Sequence, residues 1–206
     1  MQYTAAVLDP SPPLDGRLAR SVRARTAVVD ALLDLIEEGD LRPTAPRIAE
    51  RARVSLRTVF HHFADLEALF AAAADRQTDN LRRLVVPVPD DGPLGVRLDA
   101  FVQQRARLLE AIMPVRRAAL LLEPFSKEIA SRLAETRALG MTEVLRVFAP
   151  ELARRPGAAR RELAAALHAA SGFPTWETLR RHQGLPAPRA RRILRRMVAA
   201  LLDSED

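Results

Sequence analysis

The 206-residue chain contains no cysteine. Disulfides and thiolate metal sites are therefore excluded, and with them a secreted disulfide scaffold. Lysine is nearly absent, standing only at Lys127. Aromatic residues make up 4% of the sequence, and the side chains that usually fill sheets are too scarce for a β core. No apolar run reaches the roughly 18 residues that a membrane span needs. Met1 to Gly16 lacks a basic start followed by a long apolar stretch, so it does not read as a signal peptide. A Gly-x-Ser-x-Gly elbow, a Gly-rich phosphate loop, zinc-type spacing and a close His–carboxylate set are all missing. The expectation is a cytoplasmic protein without enzymatic activity, cofactor, metal or membrane partner.

What is present favours helices. The hydrophobic fraction of 48% is ample for a core, and the dominant residues, Ala, Leu and Arg, are helix formers. An all-α class follows. The net charge is +6, but its distribution says more than its sum. Arg17, Arg20, Arg23 and Arg25 form a basic block. Asp30, Asp34, Glu37, Glu38 and Asp40 then form an acidic one. Arg42, Arg47, Arg51, Arg53 and Arg57 follow, opposed only by Glu50. A fold that joins the two basic blocks would present a positive face to phosphates.

Hydrophobic periodicity divides the chain. Residues 1–16, with Pro10, Pro12, Pro13 and Gly16, read as an aperiodic, disordered tail. A first helix spans about Leu18 to Glu38, with Gly39 just past its end. Thr44 N-caps a short helix that turns Ile48, Ala49 and Ala52 inward. A turn at Ala52–Val54 leads to Ser55, the N-cap of a helix carrying Val59 and Phe63 on its core side. Asp65 caps a fourth helix that runs to about Leu84. The Pro- and Asp-rich stretch Val85 to Pro93 breaks the pattern. Helix resumes at Leu94 and is ended or kinked by Pro114. A short piece, Val115 to Leu122, follows. Ser126 to Phe148 forms another long helix. A further one runs from Ala158 to His182 with a kink at Pro174. The last, Pro188 to Leu202, carries an apolar stripe.

Two short helices joined by a tight turn and packed on a longer one make a helix-turn-helix. Such a unit lays its second helix in the major groove. Arg57 is then placed for a bidentate contact to guanine. Leu56, Phe60 and His61 face the groove, and Thr58 and Ser55 reach phosphates or bases. Thr44 offers its hydroxyl and nearby backbone N–H groups to a phosphate.

The stretch Thr44 to Phe70 resembles the DNA-binding segment of the tetracycline-repressor (TetR) family. The resemblance rests on Ile48-Ala49, Ala52-Arg53-Val54-Ser55, Thr58-Val59-Phe60-His61-His62-Phe63 and Leu66-Glu67-Ala68-Leu69. It implies an N-terminal DNA-binding domain over residues 17–70 and a helical regulatory and dimerisation domain over residues 71–203. It also implies a bacterial, ligand-responsive repressor that binds a palindromic operator in double-stranded DNA as a homodimer. His62 matches the family histidine that lies by the DNA backbone, and Arg17 and Arg20 form a basic arm. Three positions depart from the pattern. Arg53 replaces a turn glycine, Phe60 a phosphate-binding tyrosine and Leu66 a backbone-facing lysine.

The resemblance implies that the last two helices build the dimer, through Trp176, Ile193, Leu194, Met197, Val198 and Leu201. It also implies a small-molecule effector cavity, for which Phe101, Arg105, Met113, Leu121, Phe125, His168, Phe173 and Trp176 are the candidate lining. Arg105 follows Phe101 by one turn, so burial would demand an acidic partner or an anionic ligand. The alternative reading is a helical protein-interaction module that keeps the architecture without specific DNA binding.

Overall fold

A computed structural model describes residues 16–204, and among them every regular element is helical. The expected tail therefore lies outside the described residues, except Gly16, which opens the first helix. The helices are α1 (Gly16–Glu37), α2 (Ala45–Ala52), α3 (Leu56–His62), α4 (Leu66–Arg82), α5 (Leu94–Leu122), α6 (Lys127–Val147), α7 (Ala149–Ala153), α8 (Gly157–Ala170), α9 (Phe173–Glu177) and α10 (Ala187–Asp203). A π-helical turn, Thr178–His182, extends α9.

Local chemistry sets the boundaries of the N-terminal helices. Ser55 and Asp65 accept hydrogen bonds from the N–H groups of Thr58 (3.1 Å) and Ala68 (2.8 Å), satisfying donors that the helices leave open. Thr44 precedes α2 in extended geometry but makes no side-chain cap bond. After α1, Gly39 at φ +99° lets its own N–H reach Ile36 O and the Asp40 N–H reach Leu35 O. The same paired closure ends α2, where Arg53 N–H bonds Glu50 O and Val54 N–H bonds Ala49 O. There the left-handed position, φ 54° and ψ 42°, falls on an arginine. An L-residue is disfavoured in that region by about 1–2 kcal/mol. Arg53→Gly is therefore expected to raise stability by about 0.5–1 kcal/mol. Thermal unfolding checks this, and an unchanged or lower midpoint would count against strain at the turn.

Two apolar cores form. The smaller gathers Val28, Leu32 and Ile36 of α1, Ile48 of α2, Val59 and Phe63, and Leu69 and Ala73 of α4. It also takes in Ala118 of α5 and Ile129 and Leu133 of α6. The larger is built on Phe101, Val144, Phe148, Leu167, Trp176, Leu194 and Val198. Helix α4 runs unbroken from Leu66 to Arg82 and links the two cores.

Two expected helix boundaries differ from the structure: an end at Pro114 and an unbroken run from Ala158 to His182. Pro114 lies inside α5, which continues to Leu122. Each half is anchored: Leu109 and Ile112 sit in the larger core, and Ala118 in the smaller. Packing on both sides outweighs the backbone hydrogen bond that proline deletes. The expected helix from Ala158 to His182 is instead broken at Ser171–Gly172. Pro174 then takes an early position of α9, where its missing N–H costs little.

Polar anchors tie the larger core together. Arg97, 3% exposed, forks onto Glu151 at 2.5 and 3.0 Å and donates to the carbonyls of Gly92 and Val147. Glu110 accepts from Trp176 Nε1 at 3.0 Å and from Arg180 at 2.7 and 2.9 Å. The Arg180 guanidinium holds the Glu110 carboxyl below its ordinary value of 4.5, with burial opposing and the indole N–H assisting. A depressed folded pKa means that the ionised carboxylate stabilises the fold above its unfolded value. That contribution is lost as pH falls through the folded value. Thermal midpoints are thus expected to drop as pH is lowered beneath about 4.5. The acid limb should be shallower in Glu110→Gln, and an identical limb would remove Glu110 from the acid response.

Candidate nucleic-acid interface

Helix α3 presents two sides. Val59 and Phe63 are buried in the smaller core, while Leu56, Arg57, Phe60 and His61 are exposed. At 100° per residue the four exposed positions cover an arc of roughly 140°. Phe60, 48% exposed, shares that side with the exposed Arg57.

The neighbouring hydroxyls are already engaged with one another. Ser55 Oγ caps α3 and lies 2.8 Å from Thr58 Oγ1. Their contribution to an outside partner is thus one shared, pre-oriented pair of hydroxyls. Thr44 is exposed at the start of α2 with its hydroxyl unused by the cap. His62 is half-buried. Burial, then His61 and Arg25, lower its pKa and favour the neutral imidazole. His61 and His62 meet edge to face at 5.2 Å between ring centroids.

The basic blocks are partly consumed by the fold. Arg25 donates to His62 O at 2.8 Å and lies 4.4 Å over the Phe63 ring, fastening α1 to the end of α3. Arg47 pairs with Asp40, and Arg51 forks onto Glu38 at 2.5 and 2.8 Å. The acidic block thus neutralises part of the second basic block, a pairing that charge runs alone did not reveal. Arg20 and Arg23 remain exposed on α1, with Arg20 Nε donating to Gly16 O. The Arg17 side chain lies outside the described residues.

The sequence profile described as bacterial regulatory proteins, tetR family, matches residues 28–73, the span from the middle of α1 into α4. Residues 28–73 thus form a helix-turn-helix of the tetR-family type. A segment of this type is the DNA-binding part of a helix-turn-helix transcriptional regulator. A tetR-family transcriptional regulator from Streptomyces coelicolor shares the fold at a TM-score of 0.68, with 22% identity over 87% of this chain and 80% of that one. A transcriptional regulator from Rhodococcus sp. Rha1 does so at 0.64, with 21% identity over 88% and 95%. No curated protein matches the sequence.

Elsewhere in the chain, the candidate effector residues scatter. Phe101, Phe173 and Trp176 are buried in the larger core, and Met113 packs against it. Arg105 donates to Gly140 O at 3.0 Å and lies 5.0 Å from the Phe101 ring centroid. His168 adjoins it across Gly140, where an added Cβ would meet His168 Nε2 at 3.1 Å and Arg105 at 3.3 Å. Burial lowers the Arg105 pKa, with Glu143 opposing, and lowers that of His168, with Arg105 adding to it. Arg116, missed in the sequence, lies 5.9 Å from the Phe173 ring centroid and is pushed down to about 10 by burial, with Arg137 adding. Its i+11 spacing from Arg105 puts both on one side of α5. Leu121 and Phe125 are exposed, Phe125 at 82%. They lie at the end of α5 and in the turn beyond it, away from the larger core. The expectation that they line the same cavity is corrected.

The dimer candidates also divide. Trp176, Leu194 and Val198 are buried within their own subunit, at 0%, 1% and 0% exposure. They have no surface left for a partner, and their assignment to an interface is corrected. The α10 stripe is wide enough to have two sides. Leu194 and Val198 point into the larger core, while Ile193 and Leu201 are half-exposed and Met197 is exposed.

No described helix is long and apolar enough to cross a membrane.

Proposed function

We propose that this chain is a TetR-family repressor that binds a palindromic operator as a homodimer and releases it when a small effector binds. One observation carries the reading: α3 holds Leu56, Arg57, Phe60 and His61 outward while Val59 and Phe63 pin it from behind. Two such helices, one from each protomer, reach successive major grooves about 34 Å apart. Arg57 reads guanine. Leu56, Phe60 and His61 contact base edges or thymine methyls, and Ser55, Thr58, Thr44, His62, Arg20 and Arg17 position the phosphates. The DNA-reading unit occupies residues 17–70 and the regulatory unit residues 71–203. Ile193, Met197 and Leu201 supply apolar surface on α10 for an isologous contact. Effector binding in the larger unit is supported by Arg105, whose side chain bonds Gly140 O and has no ion-paired carboxylate among the described residues.

Footprinting on the DNA flanking its own gene, with titrations across a salt series, tests the reading. A palindromic footprint and a steep fall in affinity with salt are expected. A second reading, the interaction module without specific DNA binding, draws on the loss of Arg47 and Arg51 to Asp40 and Glu38. A flat, sequence-indifferent titration selects it.

A further inference from the structure

An open cleft of about 350 Å³ lies where the DNA-reading helices meet the larger bundle. Its walls come from three places: the start of α2, the start of α4, and the turn between α5 and α6. Phe70 and Ile129 are buried residues beneath it, and Leu66 and Leu122 are half-buried at its sides. Phe125 stands at the rim, 82% exposed. The volume falls within the range of small-molecule sites, roughly 300–1,000 Å³.

The charges at the cleft select the ligand. Its one carboxylate, Glu67, accepts a hydrogen bond from Ser126 Oγ, which also caps α6. Its one cation, Arg42, has no carboxylate partner among the described residues. The nearby Asp40 accepts the Arg42 backbone N–H and pairs with Arg47 instead. The cleft thus combines aromatic and aliphatic walls, an open guanidinium and the free Thr44 hydroxyl. A guanidinium favours a carboxylate or sulfonate, and an exposed phenylalanine favours a flat ring.

We infer that this cleft binds a small aromatic anion, with its ring against Phe125 and Leu122 and its anionic group on Arg42 and Thr44. The site is separate from the Arg105 region. Occupancy opposes DNA binding, a consequence that rests on the DNA-reading role proposed above. Thr44 and Arg42 stand at the N-terminal end of α2, where a DNA phosphate would be held, and one anion excludes the other. Coupling through α2 and α4 is reciprocal, so DNA also weakens the ligand.

The full chain can be titrated with 8-anilino-1-naphthalenesulfonate, an aromatic sulfonate whose fluorescence rises in apolar sites. Saturable binding of one probe per chain is expected, weakened about fivefold or more in both Arg42→Gln and Phe125→Ala. Both positions are on the surface, and unchanged thermal midpoints establish that the variants fold. Probe binding that is equally tight in both variants overturns the site. With operator DNA present, saturating probe is expected to weaken DNA binding about fivefold or more, within the usual range of coupled sites. Site-specific probe binding that leaves the DNA titration unmoved overturns the coupling. If no duplex binds specifically, the DNA-reading role fails, while the two variants without DNA still decide the cleft.

Discussion

Glu151→Gln is expected to cost roughly 3–5 kcal/mol of folding stability, the usual penalty for removing one partner of a buried ion pair. Arg97 would stay charged, since a guanidinium does not give up its proton near neutral pH. At 3% exposure it cannot reach water for compensation. Its remaining acceptors, the carbonyls of Gly92 and Val147, are neutral dipoles. The double change Arg97→Met with Glu151→Leu should recover much of the loss, because apolar groups of similar volume replace both charges at once. Urea denaturation of the two variants and the parent measures this. A loss below 1 kcal/mol for Glu151→Gln would mean that water reaches the pair. A double variant as weak as the single would mean that shape, not charge, is what the site requires.

Arg57→Ala is expected to weaken binding to the preferred operator by about 1–3 kcal/mol, roughly five- to 150-fold. Most of that should appear as lost discrimination at a single base position in each half-site. Arg57 is exposed on α3, so folding should be untouched. Arg20→Ala, at the N-terminal end of α1, should instead weaken all sequences equally and lower the salt slope by about one. Competition titrations with duplexes varied one base pair at a time separate the two effects. Unchanged base preference in Arg57→Ala would remove that side chain from sequence readout.

Much of the DNA-reading segment was legible because its signals are local. Ser55 and Asp65 each stand at the start of a helix and bond an N–H three residues on. Val59 and Phe63 are four apart, so the helix and the residue that caps its end bury their side chains in one core. Gly39 supplies the left-handed residue that closes α1. What escaped notice depends on distant partners. Arg97 and Glu151 are 54 positions apart, and Glu110 and Arg180 are 70 apart; nothing in either neighbourhood marks them as a pair. Arg51 counted as part of a basic block until the fold set it against Glu38. The α10 stripe showed its width but not that Leu194 and Val198 serve the subunit's own interior. Phe125 is a cavity candidate through the resemblance alone, and its place in the turn between Leu122 and Ser126 does not tell which core it borders. Pro114 was read by its local preference, which two anchored half-helices override.

The continuity of α5 across Pro114 also bears on how the molecule melts. One rod contributes Phe101 and Leu109 to one hydrophobic cluster and Ala118 to the other. Neither cluster can come apart without stripping apolar surface from a helix the other still grips. Scanning calorimetry should therefore record one heat-absorption peak, with calorimetric and van't Hoff enthalpies in agreement. The helix-turn-helix segment and the larger bundle thus lose their structure at a single temperature, as one cooperative unit.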